Sequence, residues 1–289
     1  MSEIVNYFSL KEKVALVTGS RKGMGKGIAI ALAKAGADVV VSDYVSENRD
    51  LEDTTLEITN LGRKSAGYVM DVSNESQVNR TVQNIITNFG KIDILVNNAG
   101  IASPDSAAPL VSEKDWNHLL SVNLNGCLLC SKAVIPNMME RRSGSIINIS
   151  SVEGIKIPDL RRASSAYGVS KAGIIMLTRG LAWDLGKFNI RVNAIAPGAV
   201  KTDMMRYIFD PASLGLEMIT MVVQFLAERG IQSSAETINT DVNKYIQNSI
   251  PLGRMAEPEE IGQVAVFLAS EGAGYVTGHT LVVDGGVLA

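Results

Sequence analysis

The sequence predicts an α/β protein: one doubly wound parallel sheet of about seven strands, flanked by helices and carrying a helical lid. Three observations carry this. Short apolar runs of the kind that fits strands buried on both faces recur along the chain and alternate with stretches of helical period. The first of these runs opens directly into a glycine turn and then a helix. Late in the chain, residues 203–249 interrupt the alternation with two amphipathic helical patterns. Alternation at this interval implies right-handed crossovers. No Pro/Ser-rich linker or break in composition separates two halves, so residues 1–289 are expected to form a single domain.

Taken in order, Val14 to Thr18 is a buried-strand run, and Gly19, Gly23 and Gly25 follow before Ile28, Ala31, Leu32 and Ala35 recur with helical period. Small residues between a strand and a helix let backbone amides approach a pyrophosphate at the helix N-terminus. Asp38 to Asp43 reads as the second strand and ends in a carboxylate, 24 residues after Gly19. That separation suits a group that accepts hydrogen bonds from an adenosine ribose and repels a 2′-phosphate. Against it stand Arg21 and Lys22 inside the turn, which suit a 2′-phosphate or merely face solvent. Asp43 weighs more, because it meets the sugar directly.

Leu51, Thr55, Ile58 and Leu61 continue as a helix stopped by Gly62, and Ser65 to Met70 is a third strand. Val78, Val82, Ile85 and Phe89 form the next helical stripe, closed by Gly90, and Ile92 to Val96 is the fourth strand. It runs into Asn97-Asn98-Ala99-Gly100. A helix holding Trp116, Leu119, Leu120, Cys127 and Val134 carries Asn123 in mid-course, where a polar amide needs a reason. Ser145 to Ser150 is the fifth strand, a helix runs from Tyr167 to about Phe188, and Ile190 to Ile195 is the sixth strand. Pro258 opens another helix, whose Val264, Ala265 and Leu268 face inward, and Leu281 to Asp284 is a seventh strand at the sheet edge.

Tyr167 and Lys171 are four apart, which stacks both side chains on one helix face. A free Tyr titrates at ~10 and is a poor base at neutrality, but an adjacent cation favours phenolate. Moving it toward neutrality takes roughly 3–4 kcal/mol of differential interaction, which a Lys in a partly dry cleft supplies. Tyr167 is therefore a candidate general acid/base. Ser151, at the end of the fifth strand, is placed to donate a hydrogen bond to a carbonyl oxygen. Cys127 and Cys130 form Cys-x2-Cys, but they lie in an apolar helical pattern with only His118 and His279 as histidines. They read as core cysteines, and no metal site is expected.

The bulk properties bound the partners. A formal net charge of −3 gives no support for nucleic-acid binding. The start, MSEIVNYFSLKEK, lacks a basic segment followed by a long apolar run, and no stretch reaches 18 uninterrupted apolar residues. A cytoplasmic protein without membrane association is the expectation.

Thr18-Gly-Ser-Arg-Lys-Gly-Met-Gly25, Asn97-Asn-Ala-Gly100, Asn123, Ser151 with Tyr167-x3-Lys171, and Pro197-Gly198 occur in this order. Together they resemble the short-chain dehydrogenase/reductase family, over about Lys11 to Gly286. The resemblance implies a Rossmann-like NAD(P)-binding domain and a catalytic tetrad of Asn123, Ser151, Tyr167 and Lys171, with the backbone of Asn123 holding a relay water. It implies a cofactor cradle of Gly19, Ser20, Arg21, Gly23, Met24 and Gly25. Asp43 and Tyr44 would meet the ribose, Asp71 and Val72 the adenine, and Asn98, Ala99 and Gly100 the cofactor's flank. Tyr167 and Lys171 would reach the nicotinamide ribose, while Pro197, Gly198, Val200 and Thr202 pass over the nicotinamide. NAD is the expected cofactor, with NADP left open. A homotetramer is expected from the family's C-terminal strand and neighbouring helices.

The implied activity is NAD(P)-dependent interconversion of a secondary alcohol and its ketone, on a small-molecule substrate. Alternatives are a 3-oxoacyl-thioester (acyl-carrier-protein or CoA) reductase, a sugar or polyol dehydrogenase, and, in a different class, a non-catalytic NAD(P)-sensing protein. Fifteen residues separate Ser151 from Tyr167, about three more than compact members show. The excess holds Arg161 and Arg162, candidates with Glu153 and Met204 for contact with substrate. In the insert, Asp210-Pro211 and the box Ser233-Ser-Ala-Glu236 start helices with Leu214, Met218, Met221, Val222 and Phe225, then Ile238, Val242, Tyr245 and Ile246. Their apolar faces line a pocket or pack on the core or on a neighbouring subunit.

Overall fold

The computed structural model describes residues 7–45, 49–102, 111–156, 165–202, 223–224, 226–228, 230–234 and 237–289. Its centre is a seven-stranded, wholly parallel sheet. The strands are β1 (Val14–Thr18), β2 (Asp38–Asp43), β3 (Ser65–Val69), β4 (Ile94–Asn97), β5 (Gly144–Ile149), β6 (Ile190–Pro197) and β7 (Thr280–Val283). Their order across the sheet is β3-β2-β1-β4-β5-β6-β7. The chain works outward from β1 to β3, returns, and works outward again from β4. The loops after β1 and β4 therefore diverge at a switch point, where open α/β sheets take ligands.

Sequence explains the layering. β1 and β4 are buried along their whole length, and β2 and β5 are buried but for their first residue, as apolar runs covered on both faces must be. β3 and β7, at the edges, are only partly covered. On one face lie helices α1 (Gly23–Lys34), α2 (Asp50–Asn60) and, nearer the C-terminus, Pro258–Ala269, which packs closely on α1. Leu10, Ile28, Leu32, Ile261 and Leu268 close that side. On the other face lie α3 (Glu75–Phe89), α4 (Glu113–Leu120), α5 (Gly126–Arg141) and α6 (Ser165–Leu185), around Val82, Ile85, Val134, Met138 and Leu185. Helices α7 (Ile238–Ser249) and α8 (Pro258–Ala269) complete the described set.

The helix expected around Asn123 is a composite: α4 and α5 are joined by a π-helical turn at Ser121–Asn125. The joined Glu113–Arg141 stretch is long and apolar enough to cross a membrane by length and composition. Here Cys130, Val134 and Met138 are fully buried against the sheet, and Asn97 donates to Ser131 Oγ at 3.1 Å. Both cysteines are free and buried. Burial pushes the Cys127 thiol up to about 12 and raises Cys130 further, which suits inert core thiols.

Boundaries moved where backbone groups found other partners. β4 starts at Ile94 rather than Ile92, whose N–H donates to Asn137 Oδ1 at 3.2 Å. Of the box expected from Ser233 and Glu236, Glu236 lies outside the described residues, and Thr237 is the N-cap of the second insert helix without a side-chain capping bond. Ser234 N–H donates to Thr237 Oγ1 (3.1 Å) and Thr237 N–H to Ser234 Oγ (3.3 Å), and α7 begins after Thr237. Of the helix drawn through Leu214–Phe225 only residues 223–224 are described, and Arg161, Arg162 and Met204 lie outside the described residues. Tyr245, Ile246, Ile250 and Leu226 are buried together against Ala199 and Met255, so the described end of the insert packs on the loop after β6.

Candidate active site

The glycine turn is shaped for a dinucleotide. A Cβ at Gly19, whose φ is +63°, would lie 2.7 Å from Ala99 Cα. One at Gly25 would lie 2.1 Å from the Gly19 carbonyl oxygen. The backbone thus folds tightly at the base of the turn, and side chains are excluded from it. Lys22, the N-cap of α1, makes no side-chain capping bond, so it does not occupy the first amides of that helix. These features fit a bound pyrophosphate.

Thr18 stitches this turn to the next loop. Its Oγ1 accepts from the N–H groups of Asn98 (3.1 Å) and Ala99 (3.0 Å), while Asn98 Nδ2 donates to the carbonyls of Thr18 (2.9 Å) and Gly19 (2.8 Å). The small and amide residues of the second motif are therefore explained by the loop they tie to β1. Ser20 is fully buried and its Oγ bonds Val17 O (2.8 Å), so that side chain is structural. Met24 packs partly into the core.

At the adenosine end, Asp43 is buried and accepts from the N–H groups of Tyr44 (3.0 Å) and Arg21 (3.3 Å). Burial raises its carboxyl above the ordinary value, opposed by those amides and by the charges of Arg21 and Lys22. Arg21 lies between two acids, with Nε 3.6 Å from Asp43 Oδ1 and Nη1 3.3 Å from Asp50 Oδ2. The contest read from the sequence between Asp43 and Arg21 is thus an ion pair within the fold. Tyr44 is exposed at the mouth. Asp71 accepts from the Ser73 backbone and hydroxyl (2.9 and 2.7 Å), and Val72 is buried beside Gly126.

At the other end, Asn123, Tyr167 and Lys171 come together, and Ser151 lies at the start of a turn that packs on α6. β5 delivers Ser151, which caps a short 3-10 turn, Val152–Gly154, by accepting from the Glu153 N–H at 3.2 Å. That turn lies against α6: a Cβ at Gly154 would meet the Lys171 carbonyl carbon at 2.6 Å. Tyr167 and Lys171 stack on α6, with the ammonium 5.4 Å from the phenol ring centroid. Lys171 is buried and donates to Ile149 O at 2.9 Å. Burial pushes its ammonium down to about 8, opposed by the nearby charge of Glu153. A Cβ on Gly100 would sit 3.3 Å from Asn123 Oδ1 and 3.5 Å from Lys171 Nζ, so this glycine lies between them.

Asn123 has its reason. Its Oδ1 accepts from Ile101 N (2.8 Å) and its Nδ2 donates to Ile101 O (3.0 Å) and Ser170 Oγ (3.1 Å). The side chain anchors the loop after β4, while the π turn around it departs from the regular helical ladder. Ser170 was not singled out from the sequence; its hydroxyl donates to Tyr167 O at 2.7 Å and ties Asn123 to α6.

After β6, Thr202 comes within 3.6 Å of a Cβ placed on Gly23, which brings the third loop over the turn. Gly198 is required by a different neighbour, since a Cβ there would meet Asp284 Cα at 2.8 Å. Val200 is buried in a bridge to Ala256.

The short chain dehydrogenase family model matches residues 13–212. The chain is a short-chain dehydrogenase/reductase. A second model, described as enoyl-(acyl carrier protein) reductase, matches residues 221–288. The 3-oxoacyl-[acyl-carrier-protein] reductase of Thermotoga maritima is 36% identical over 279 residues, covering 96% of this chain and 99% of that protein. The 2-dehydro-3-deoxy-D-gluconate 5-dehydrogenase of Dickeya dadantii is 35% identical over 291 residues, covering 99% of each. Among solved structures, a short-chain type dehydrogenase/reductase from Mycobacterium marinum superposes with a TM-score of 0.80 at 31% identity, covering 99% of each chain. This chain is accordingly an oxidoreductase of that family, and its fold is the one predicted from its alternating pattern.

Proposed function

We propose that this short-chain dehydrogenase/reductase interconverts a secondary alcohol and its ketone and prefers NAD(H). The observation that carries the chemistry is the buried Lys171 ammonium beside the Tyr167 ring, with Gly100 next to it at the switch point. A nicotinamide, when bound, supplies or takes up the hydride. Tyr167 exchanges a proton with the substrate oxygen, and the adjacent ammonium favours its phenolate form. Ser151 already accepts from Glu153 N–H, so its own hydroxyl proton is directed elsewhere and serves the same oxygen. Asn123, locked by Ile101 and Ser170, holds the loop and α6 in one arrangement.

The NAD(H) preference rests on Asp43, buried at the end of β2, and on the engagement of Arg21 by two carboxylates. Steady-state rates with NAD+ and NADP+ over a panel of secondary alcohols, polyols and 3-hydroxyacyl thioesters test both halves of the reading. Turnover of a secondary alcohol with a higher kcat/KM for NAD+ is expected; binding of NAD without turnover of any member would instead indicate a sensor. The second reading, a 3-oxoacyl-thioester reductase, is favoured by the likeness to the Thermotoga maritima protein. It predicts that the thioester dominates the panel.

The subunit is proposed to assemble as a homotetramer. Val169, Met176 and Trp183, seven residues apart on α6, form an exposed apolar stripe, with Trp183 88% exposed. Val282 on the edge strand β7 is a further exposed apolar side chain, as are Leu252 and Tyr275. Large exposed apolar areas mark interfaces, and the α6 stripe is the surface offered for one such contact.

A further inference from the structure

The sequence offers Asp43 and Arg21 as opposing determinants at the adenosine ribose, but the structure adds a third group. Asp50, the first residue of α2, reaches the Arg21 guanidinium at 3.3 Å. The Arg21 side chain is only 12% exposed, and its backbone is fixed as well: its N–H donates to Asp43 Oδ2 and its carbonyl accepts from Thr54 Oγ1 at 2.9 Å. Thr54 is fully buried on α2. The guanidinium is therefore a packed cation shared by two carboxylates, and α2 is the element that holds it. The first turn of α2 carries three acids, Asp50, Glu52 and Asp53, which keeps the local field negative where a 2′-phosphate would arrive.

We propose that Asp50 is a specificity-positioning residue, which by holding Arg21 against Asp43 withholds that guanidinium from a 2′-phosphate and so enforces preference for NAD over NADP. An arginine pairs bidentately with phosphate when it is available to do so. Here one carboxylate fixes its position and the other compensates its charge, so a phosphate would have to displace an existing ion pair and enter beside two negative groups. This deepens the NAD(H) preference proposed above and rests on it. Loss of Asp50 removes the nearer of these two carboxylates from the Arg21 guanidinium and with it one of the charges a phosphate would have to displace.

Binding of NADH and NADPH to the full chain, measured by calorimetry at low ionic strength, tests this in wild type, Asp50→Asn, Asp50→Glu, Arg21→Ala and the Asp50→Asn/Arg21→Ala pair. Asp50→Asn is expected to lower the ratio Kd(NADPH)/Kd(NADH) by about tenfold, the order expected when one compensating charge is removed from a partly buried pair. Asp50→Glu should hold the wild-type ratio, and the double variant should lose the gain, because the gain acts through Arg21. A ratio unmoved by Asp50→Asn, or a gain that persists without Arg21, overturns the proposal. A wild type that binds NADPH more tightly would overturn the NAD reading alone, since the effect of Asp50→Asn on the ratio is read separately.

Discussion

At Lys171 one physical fact does two things: the burial that takes the ammonium out of water also sets it beside the Tyr167 ring. With its value pushed from 10.5 down to about 8, the folded chain binds fewer protons there than the unfolded chain between those two pH values. Stability should therefore rise with pH across that window, and the full penalty of the buried ammonium should stand below about 8. Melting of wild type and Lys171→Met without cofactor, at pH 7 and 9.5, checks the sign: the difference should move in favour of wild type at the higher pH, and no movement contradicts it. Tyr167→Phe should reduce kcat by about 10²–10⁴-fold, the usual range for a lost acid/base, with the Kd for NADH nearly unchanged. The pairing of these residues was legible from a spacing of four. Thr18, Ser170 and Asp50 were not, because each acts on groups distant in sequence; Thr18 and the Asn98 amide are 80 residues apart.

Among the elements, the glycine turn is the least tolerant. A methyl group at Gly25 would lie 2.1 Å from Gly19 O and 2.5 Å from Asn98 Nδ2, both held by β1. Gly25→Ala should lower the melting temperature and weaken NADH binding together, since the same displacement opens the turn from the second loop; calorimetry that finds neither change contradicts this. A second close approach joins α1 to α8, where a Cβ on Gly262 would sit 2.6 Å from Ala31 Cβ and 2.8 Å from Gly27 O. Gly262→Val overpacks that crossing, and ~1–3 kcal/mol of destabilisation is expected from denaturant unfolding. Strands were read closely from apolar runs, yet their ends shifted by one or two residues because terminal N–H groups took side-chain partners, as Ile92 does with Asn137.

For the whole molecule, the exposed stripe Val169, Met176 and Trp183 sets a test of assembly. Trp183→Glu should place a charge in a subunit contact and lower the mass measured by light scattering, from tetramer to a smaller species, without lowering the helix content. An unchanged mass would remove α6 as an interface. By itself the sequence determined the alternating α/β architecture, the order of motifs and the Tyr167–Lys171 pair, because period and short-range spacing are local properties that the chain carries wherever it folds. Only the tertiary structure decided that Arg21 is shared by Asp43 and Asp50, that Gly198 is required by Asp284, and that Gly100 lies between Asn123 and Lys171. Those contacts join residues from separate loops at a switch point, and their geometry is set by how the parallel strands are ordered, which no local pattern encodes.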